Sequence, residues 1–182
     1  MIPEFKEFKK IFRVSRPCII TEKIDGTNGC ICITEENDFF MGSKSRWITP
    51  ENDNYGFAKW AMTNKDELMK LGVGLHYGEW WGKGIQRGYN LNEKVFSLFN
   101  TSRWNDDSVR PKCCRVVPTL YEGIFNTNDI NTCIEFLRER GSVAAPGFKF
   151  AEGVVVFHVP GNFCLKKTLE KDDEPKSLRK DI

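Results

Sequence analysis

"TEKIDGTNGCICI", residues 21–33, places a lysine, an aspartate, a glycine and an asparagine ahead of an apolar run. The turn-forming block Gly26-Thr27-Asn28-Gly29 breaks the segment 19–34 into the start of a strand pair, which resumes at CICIT. A lone lysine at a strand end is ordinarily a solvated side chain. Similar elements recur downstream, however: Glu79 in YGEWWGKGIQRGY, Glu152 in AEGVVVFH, and Lys166 with Lys167 in CLKKTLE. Each glutamate lies beside a glycine and an apolar strand, where an unpaired carboxylate is costly to bury. Two glutamates and strand-borne lysines suit a nucleoside triphosphate and its metal. Carboxylates hold Mg²⁺, lysines neutralise phosphate oxygens, and glycines let the backbone approach a ligand.

Working outward, FFMGS (39–43) reads as the hairpin partner of CICIT. Phe57, Trp60, Ala61, Leu68 and Leu71 keep a helical period that stops at Gly72. Residues 4–13 are expected to form a short amphipathic helix with Phe5, Phe8 and Phe12 on one side. Further strands are expected at 74–81, 95–100, 115–124, 153–159 and 162–168. Asp129 is the expected cap of a helix carrying Ile130, Ile134 and Leu137 and ending at Gly141. Val159-Pro160-Gly161-Asn162 is a turn between the last two strands. Strands with irregularly inserted helices, rather than a β-α-β-α alternation, predict an α+β fold of mainly antiparallel β-sheets with flanking helices.

The 182 residues suffice for one well-packed domain. A net charge of +2 does not by itself identify a nucleic-acid binder, so local clusters must carry that reading. There is no signal-peptide h-region and no window long enough for a membrane span, so no membrane partner is expected. The seven cysteines form no CxxC pair, and reduced thiols in a cytoplasmic compartment are the expectation. The charged stretch 171–182 is expected to be a tail after a domain of residues 1–170.

Lys23-Ile24-Asp25-Gly26-Thr27-Asn28 resembles motif I (KxDGxN) of the covalent nucleotidyltransferases, the superfamily of ATP-dependent ligases and capping guanylyltransferases. The remaining motifs follow in the family order. SKSRW (43–47) is similar to motif Ia, YGE (77–79) to motif III and KVFSLFN (94–100) to motif IIIa. EGVVV (152–156) is similar to motif IV and LKKTLE (165–170) to motif V. Glu22 and Gln86 suit the ATP-dependent RNA ligases, in particular the T4 RNA ligase 2-like branch. The likeness implies a nucleotidyltransferase, ATP-grasp-like adenylation domain whose sheets and helices form a nucleotide cleft.

The resemblance implies that Lys23 attacks the α-phosphorus of ATP to form lysyl-AMP, with Mg²⁺ (or Mn²⁺). AMP then passes to the 5′-phosphate of an RNA, and a 3′-OH displaces it. Deprotonating an ordinary lysine at pH 7 costs about 4–5 kcal/mol, so cations near Lys23 are needed, and Lys166 is one. Lys166 and Asp25 join Lys23 as catalytic candidates, Asp25 acting through a metal-bound water or holding local structure. Nucleotide-binding candidates are Glu22, Ile24, Gly26, Asn28, Arg46, Glu79, Phe99, Lys166 and Lys167. Glu22 would accept from the adenine amino group and Glu79 from the ribose hydroxyls. Phe99 is the ring expected to stack on adenine, with Phe96 in the core. Strand alternation lets only one of Lys166 and Lys167 face the cleft, and Lys166 is preferred. Glu152 is the metal ligand; Lys44, Gln86 and Arg87 are candidates for RNA contact, with Lys83, Arg103 and Arg110 as further guides for its backbone. Trp80, Trp81 and Trp104 are assigned to the core, and His76 and His158 receive no role.

Two features depart from the pattern. No OB-fold or other C-terminal domain is expected after motif V, and Lys-Lys-Thr replaces the usual Lys-x-Lys. DNA nick sealing and a non-catalytic nucleotide or RNA-end binding module are the alternatives to RNA ligation, with DNA a possible partner. The protein is expected to be a monomer.

Overall fold

Alternation in the opening stretch is realised as two strands, but they do not pair with each other. The computed structural model describes residues 3–173. In chain order it contains β1 (Pro17–Lys23), β2 (Thr27–Ile33), β3 (Phe39–Gly42), β4 (Trp47–Ile48), α1 (Phe57–Thr63) and α2 (Lys65–Leu68). A 3₁₀ turn (Met69–Leu71), β5 (Gly74–Gly82), β6 (Lys94–Leu98), α3 (Thr101–Trp104) and β7 (Cys114–Val116) come next. The chain continues with β8 (Thr119–Ile124), α4 (Thr127–Arg140), β9 (Gly153–His158) and β10 (Phe163–Thr168). One sheet has the order β10-β9-β1-β8 and the other β4-β3-β2-β5-β6-β7. All pairings are antiparallel except β6 with β7. The α+β class with mainly antiparallel sheets is therefore observed.

Several local expectations change. The break after β1 falls at Ile24–Gly26, and the chain there crosses from one sheet to the other. Residues 4–13 form no helix; Phe5 and Phe8 are largely exposed, with no second apolar surface against them to stabilise a short helix. The expected strand 115–124 is divided at Val117-Pro118, and its halves join different sheets. Helix α4 is capped by Asn126, which accepts from Asn128 N–H at 2.8 Å, while Asp129 lies in the first turn. The helix 57–71 is broken at Asn64 into α1, α2 and the 3₁₀ turn before Gly72. The stretch 174–182, most of the expected tail, lies outside the described residues.

Three apolar clusters support the two sheets. Helices α1 and α2 cover one face of the larger sheet, where Phe57 packs on Phe96 with ring centroids 4.9 Å apart. Burying a side chain of that size contributes about 1.5–3 kcal/mol. Helix α4 covers the smaller sheet through Ile130, Ile134 and Leu137 against Ile20 and Val154. The third cluster, Ile24, Trp81, Tyr89, Val95 and Phe148, lies where the connector between the sheets enters the interior. Trp80, Trp81 and Trp104 are core residues as expected.

Candidate active site

Lys23 ends β1, with its Cα opposite Gly153 of β9. Its Nζ lies 2.6 Å from Glu152 Oε2, and the two side chains are 20% and 4% exposed. Glycine is required at 153: a Cβ there would stand 2.1 Å from the Lys167 carbonyl oxygen. Only a residue without a side chain lets β9 run this close to β10 and bring Glu152 to the amine.

The connector then buries Ile24 and passes Gly26 tightly over β5, where a Cβ would meet the Trp80 carbonyl oxygen at 2.4 Å. Gly26 N–H donates to Glu79 Oε1 at 3.0 Å, and Asn28 Nδ2 donates to Glu79 Oε2 at 3.5 Å. Burial pushes the Glu79 carboxyl up to about 7; Lys23 and the Gly26 N–H oppose the rise, while Glu152 and Asp25 add to it. Two carboxylates and the lysine, from the end of β1, the connector after it and the residue before β9, thus act on Glu79 at once. Such grouping of a perturbed acid with a cation is characteristic of working sites.

Arg87 Nε donates to Asp25 Oδ2 at 3.1 Å and Arg87 Nη1 donates to the Phe150 carbonyl at 2.9 Å. Arg87, expected on RNA, is therefore a clasp within the protein. Asp25 N–H donates to the buried Tyr89 hydroxyl at 2.7 Å. Burial raises the Tyr89 phenol well above its ordinary range, so the ring stays neutral.

Glu22 points to the α4 side of its sheet and is 1% exposed. Ser142 Oγ donates to Oε1 at 2.6 Å, and the Val143 and Ala144 N–H groups donate to Oε2 at 2.8 and 2.9 Å. Burial raises the Glu22 carboxyl, and these three donors partly offset the rise. A carboxylate has about four acceptor sites, so three are occupied by this loop.

The lysine pair divides as alternation requires. Lys166 shares a row with Val155 and Thr21, on the same face as Lys23. Lys167 occupies the opposite face and donates to Asn131 of α4 at 2.8 Å, so it does not join Lys23. Phe96 is buried, whereas Phe99 is 40% exposed and follows Ser97 on the face that carries Glu79. Lys44 and Arg46 lie in the exposed β3–β4 turn, where Arg46 Nη1 donates to the Trp47 and Asn52 carbonyls. Gln86 and Lys83 are exposed, outside this cluster. Arg103 and Arg110 bond backbone carbonyls of Leu71, Cys114 and Trp104, which fastens their loops away from the Lys23 cluster. His76 and His158 likewise bond backbone carbonyls.

Tyr89 and Ser142 are additional site residues. Nothing in the local sequence marks them, because their partners Asp25 and Glu22 are 64 and 120 positions away. Hard carboxylate oxygens at Glu152 fit Mg²⁺ or Mn²⁺. Among the described residues no three His, Cys, Asp or Glu side chains converge, so Glu152 is the ligand the chain would offer, with phosphate and water completing the shell.

Residues 16–168 match the family model described as RNA ligase. No curated protein matches the chain. Solved structures of Naegleria gruberi RNA ligase have a similar fold. The complex with PPi is 19% identical, with a TM-score of 0.62 over 92% of this chain and 57% of that one. A mutant with ATP and Mn is also 19% identical, with a TM-score of 0.61 over 88% and 52%. A mutant with AMP and Mn is 18% identical, with a TM-score of 0.60 over 89% and 53%. The chain spans about half the length of the ligases it resembles.

Proposed function

This chain belongs to the RNA ligase family, and from that premise we propose that it is an ATP-dependent RNA ligase of the T4 RNA ligase 2-like branch. Lys23 Nζ attacks the α-phosphorus of ATP, the bond to pyrophosphate breaks, and a phosphoramide to AMP forms as the amine loses its protons. The AMP is then transferred to the 5′-phosphate of an RNA. A 3′-OH attacks that phosphate, a phosphodiester forms, and AMP leaves. Residues 1–170 form the adenylation unit of this reading.

The observation that carries it is the placement of the Lys23 amine on Glu152 at 2.6 Å, where the chain first passes from sheet to sheet and within the field of Glu79. When bound, Mg²⁺ or Mn²⁺ supplies charge neutralisation for the triphosphate. Lys166, on the face of Lys23, stabilises negative charge developing at the α-phosphate. Gly26 N–H and Asn28 orient Glu79 towards the ribose. Phe99 offers its exposed ring to adenine. Glu22 reads the base through its remaining acceptor site; its orientation by Ser142 supports discrimination in favour of an amino group.

The test is incubation with ATP labelled at the α-phosphate and Mg²⁺, followed by denaturation. Retained label that disappears in Lys23→Ala supports the reading; absence of label in the wild-type protein refutes it. Label from GTP instead would assign the chemistry to guanylyl transfer. Nicked duplexes with RNA or DNA on either side of the break then separate RNA sealing from DNA sealing.

A further inference from the structure

The larger sheet has a second exposed surface beside the nucleotide residues. Paired residues share a face, and rows two positions apart share it too. The row Asn28–Glu79–Ser97 belongs to the candidate site. The next row on that face is Trp47–Gly42–Cys30–Tyr77. Phe99 N–H donates to the Tyr77 carbonyl at 3.0 Å, which sets Phe99 beside Tyr77. One row further lie Phe40, Cys32 and Leu75. The opposite face carries the core residues Ile31, Trp80, Phe96 and Leu98.

This face is not buried. Trp47 is 58% exposed, Tyr77 53% and Phe40 46%. The Phe40 and Trp47 rings stand 5.9 Å apart. Small residues form the floor: a Cβ on Gly42 would touch both the Trp47 ring and Cys30 Cβ at 3.4 Å. The Trp47 ring thus lies over Gly42, on a strand about 14 Å, three inter-strand spacings, from that of Tyr77. Contiguous exposed rings of this kind mark an interaction surface.

Charge indicates the occupant. Lys44 and Arg46 project from the turn after β3, at the end of the sheet where Asn28 and the connector lie. The acidic residues Glu35, Glu36 and Asp38 lie at the other end, in the β2–β3 turn. Flat aromatic side chains combined with a basic margin are how proteins hold unpaired nucleotides without reading sequence.

We propose that this face is a stacking platform for single-stranded RNA, with bases on Trp47 and Tyr77 and phosphates drawn by Lys44 and Arg46 towards Lys23. It rests on the ligase reading and extends it to the polynucleotide. The platform orients one RNA end so that its terminus lies at the basic edge of the sheet.

The experiment titrates the full chain with a single-stranded oligoribonucleotide, following tryptophan emission and the anisotropy of labelled RNA. Trp80, Trp81 and Trp104 are buried and Trp60 is half-buried against the core of the opposite face, so quenching reports chiefly on Trp47. Quenching is expected in the wild-type protein and is lost in Trp47→Phe, which retains most of the affinity. Trp47→Ala and Tyr77→Ala each weaken binding about 5–100-fold. Lys44→Ala with Arg46→Ala lowers the salt slope by about 1.4. Both rings are exposed, and unchanged thermal melting verifies that the variants fold. Unquenched emission with unaltered anisotropy in the alanine variants overturns the proposal. So does a Trp47→Ala change that dissolves a dimer in sedimentation yet leaves RNA affinity intact, since the face would then belong to a second copy. Labelling of wild-type Lys23 is scored separately: labelling with Trp47-independent binding refutes the platform alone. No labelling with Trp47-dependent binding refutes the ligase reading alone.

Discussion

Arg87 and Asp25 are joined at 3.1 Å, and the same guanidinium also holds the Phe150 carbonyl. One side chain thus ties the segment after Lys23 to the segment before Glu152. Arg87→Ala is expected to lower stability by about 1–3 kcal/mol, the range for hydrogen bonds to charged groups. Denaturant unfolding measures this. Arg87→Lys rescues little, because an ammonium cannot reproduce the two-way fork.

Glu152 meets the amine of Lys23 from a nearly fully buried position. Glu152→Gln keeps the shape but removes the charge, and is expected to cut lysyl-AMP formation about 100-fold or more. Label retained on the protein after denaturation is the readout. A variant that labels at the wild-type rate contradicts the role given to this carboxylate.

The two motif V lysines should behave differently. Lys166 shares the face of Lys23, whereas Lys167 is engaged with Asn131. Lys166→Ala is expected to reduce label transfer about 100-fold, the scale of a lost transition-state contact. Lys167→Ala should cost little in the same assay and show its effect in stability instead.

Glu79 makes stability depend on pH with a definite sign. Its carboxyl titrates near 7 in the folded chain against an ordinary 4.5. Between those values the folded protein holds a proton that the unfolded chain has lost, so stability falls as pH rises from about 4.5 to 7. The contribution is complete below 4.5 and gone above 7. Glu79→Gln removes this fall, which is at most about 3 kcal/mol. Urea unfolding of both proteins at the two ends of the window measures the difference.

Ser142 supplies the shortest of the three bonds to Glu22, at 2.6 Å. Ser142→Ala leaves a buried carboxylate short of a donor, at a cost of about 1–3 kcal/mol. Its selective readout is the ratio of labelling by ATP and by GTP, which is expected to fall. An unchanged ratio would confine Ser142 to a packing role.

How far the sequence foretold this arrangement depends on the range of each interaction. Glu79 and Glu152 stood out because each carboxylate lies beside a glycine and an apolar strand, and Lys23 because it opens the KxDGxN pattern. Strand alternation foretold that Lys166 and Lys167 face opposite ways, and the position of Lys166 after Leu165 in the motif V likeness decided which was assigned to the cleft. The internal clasp made by Arg87 was not legible, because an arginine in a glycine-rich loop looks solvated and its partners lie 62 and 63 residues away. Ser142 and Tyr89 were silent for the same reason. The false helix at 4–13 had an apolar stripe with no tertiary surface to bury it, and propensity without burial does not hold a short helix. The strand break begins two residues earlier than expected because close packing of Gly26 on β5, invisible locally, decides where the chain turns.

The three-residue crossing Ile24–Gly26 imposes a mechanical limit. From Lys23 to Thr27 even a fully stretched chain reaches only about 14 Å. The strand that bears the amine and the strand that pairs with the one carrying Glu79 are therefore on a short leash, and no wide gaping of the two halves can part them. Any large swing during a reaction cycle must come from other parts of the protein, while these two strands travel together.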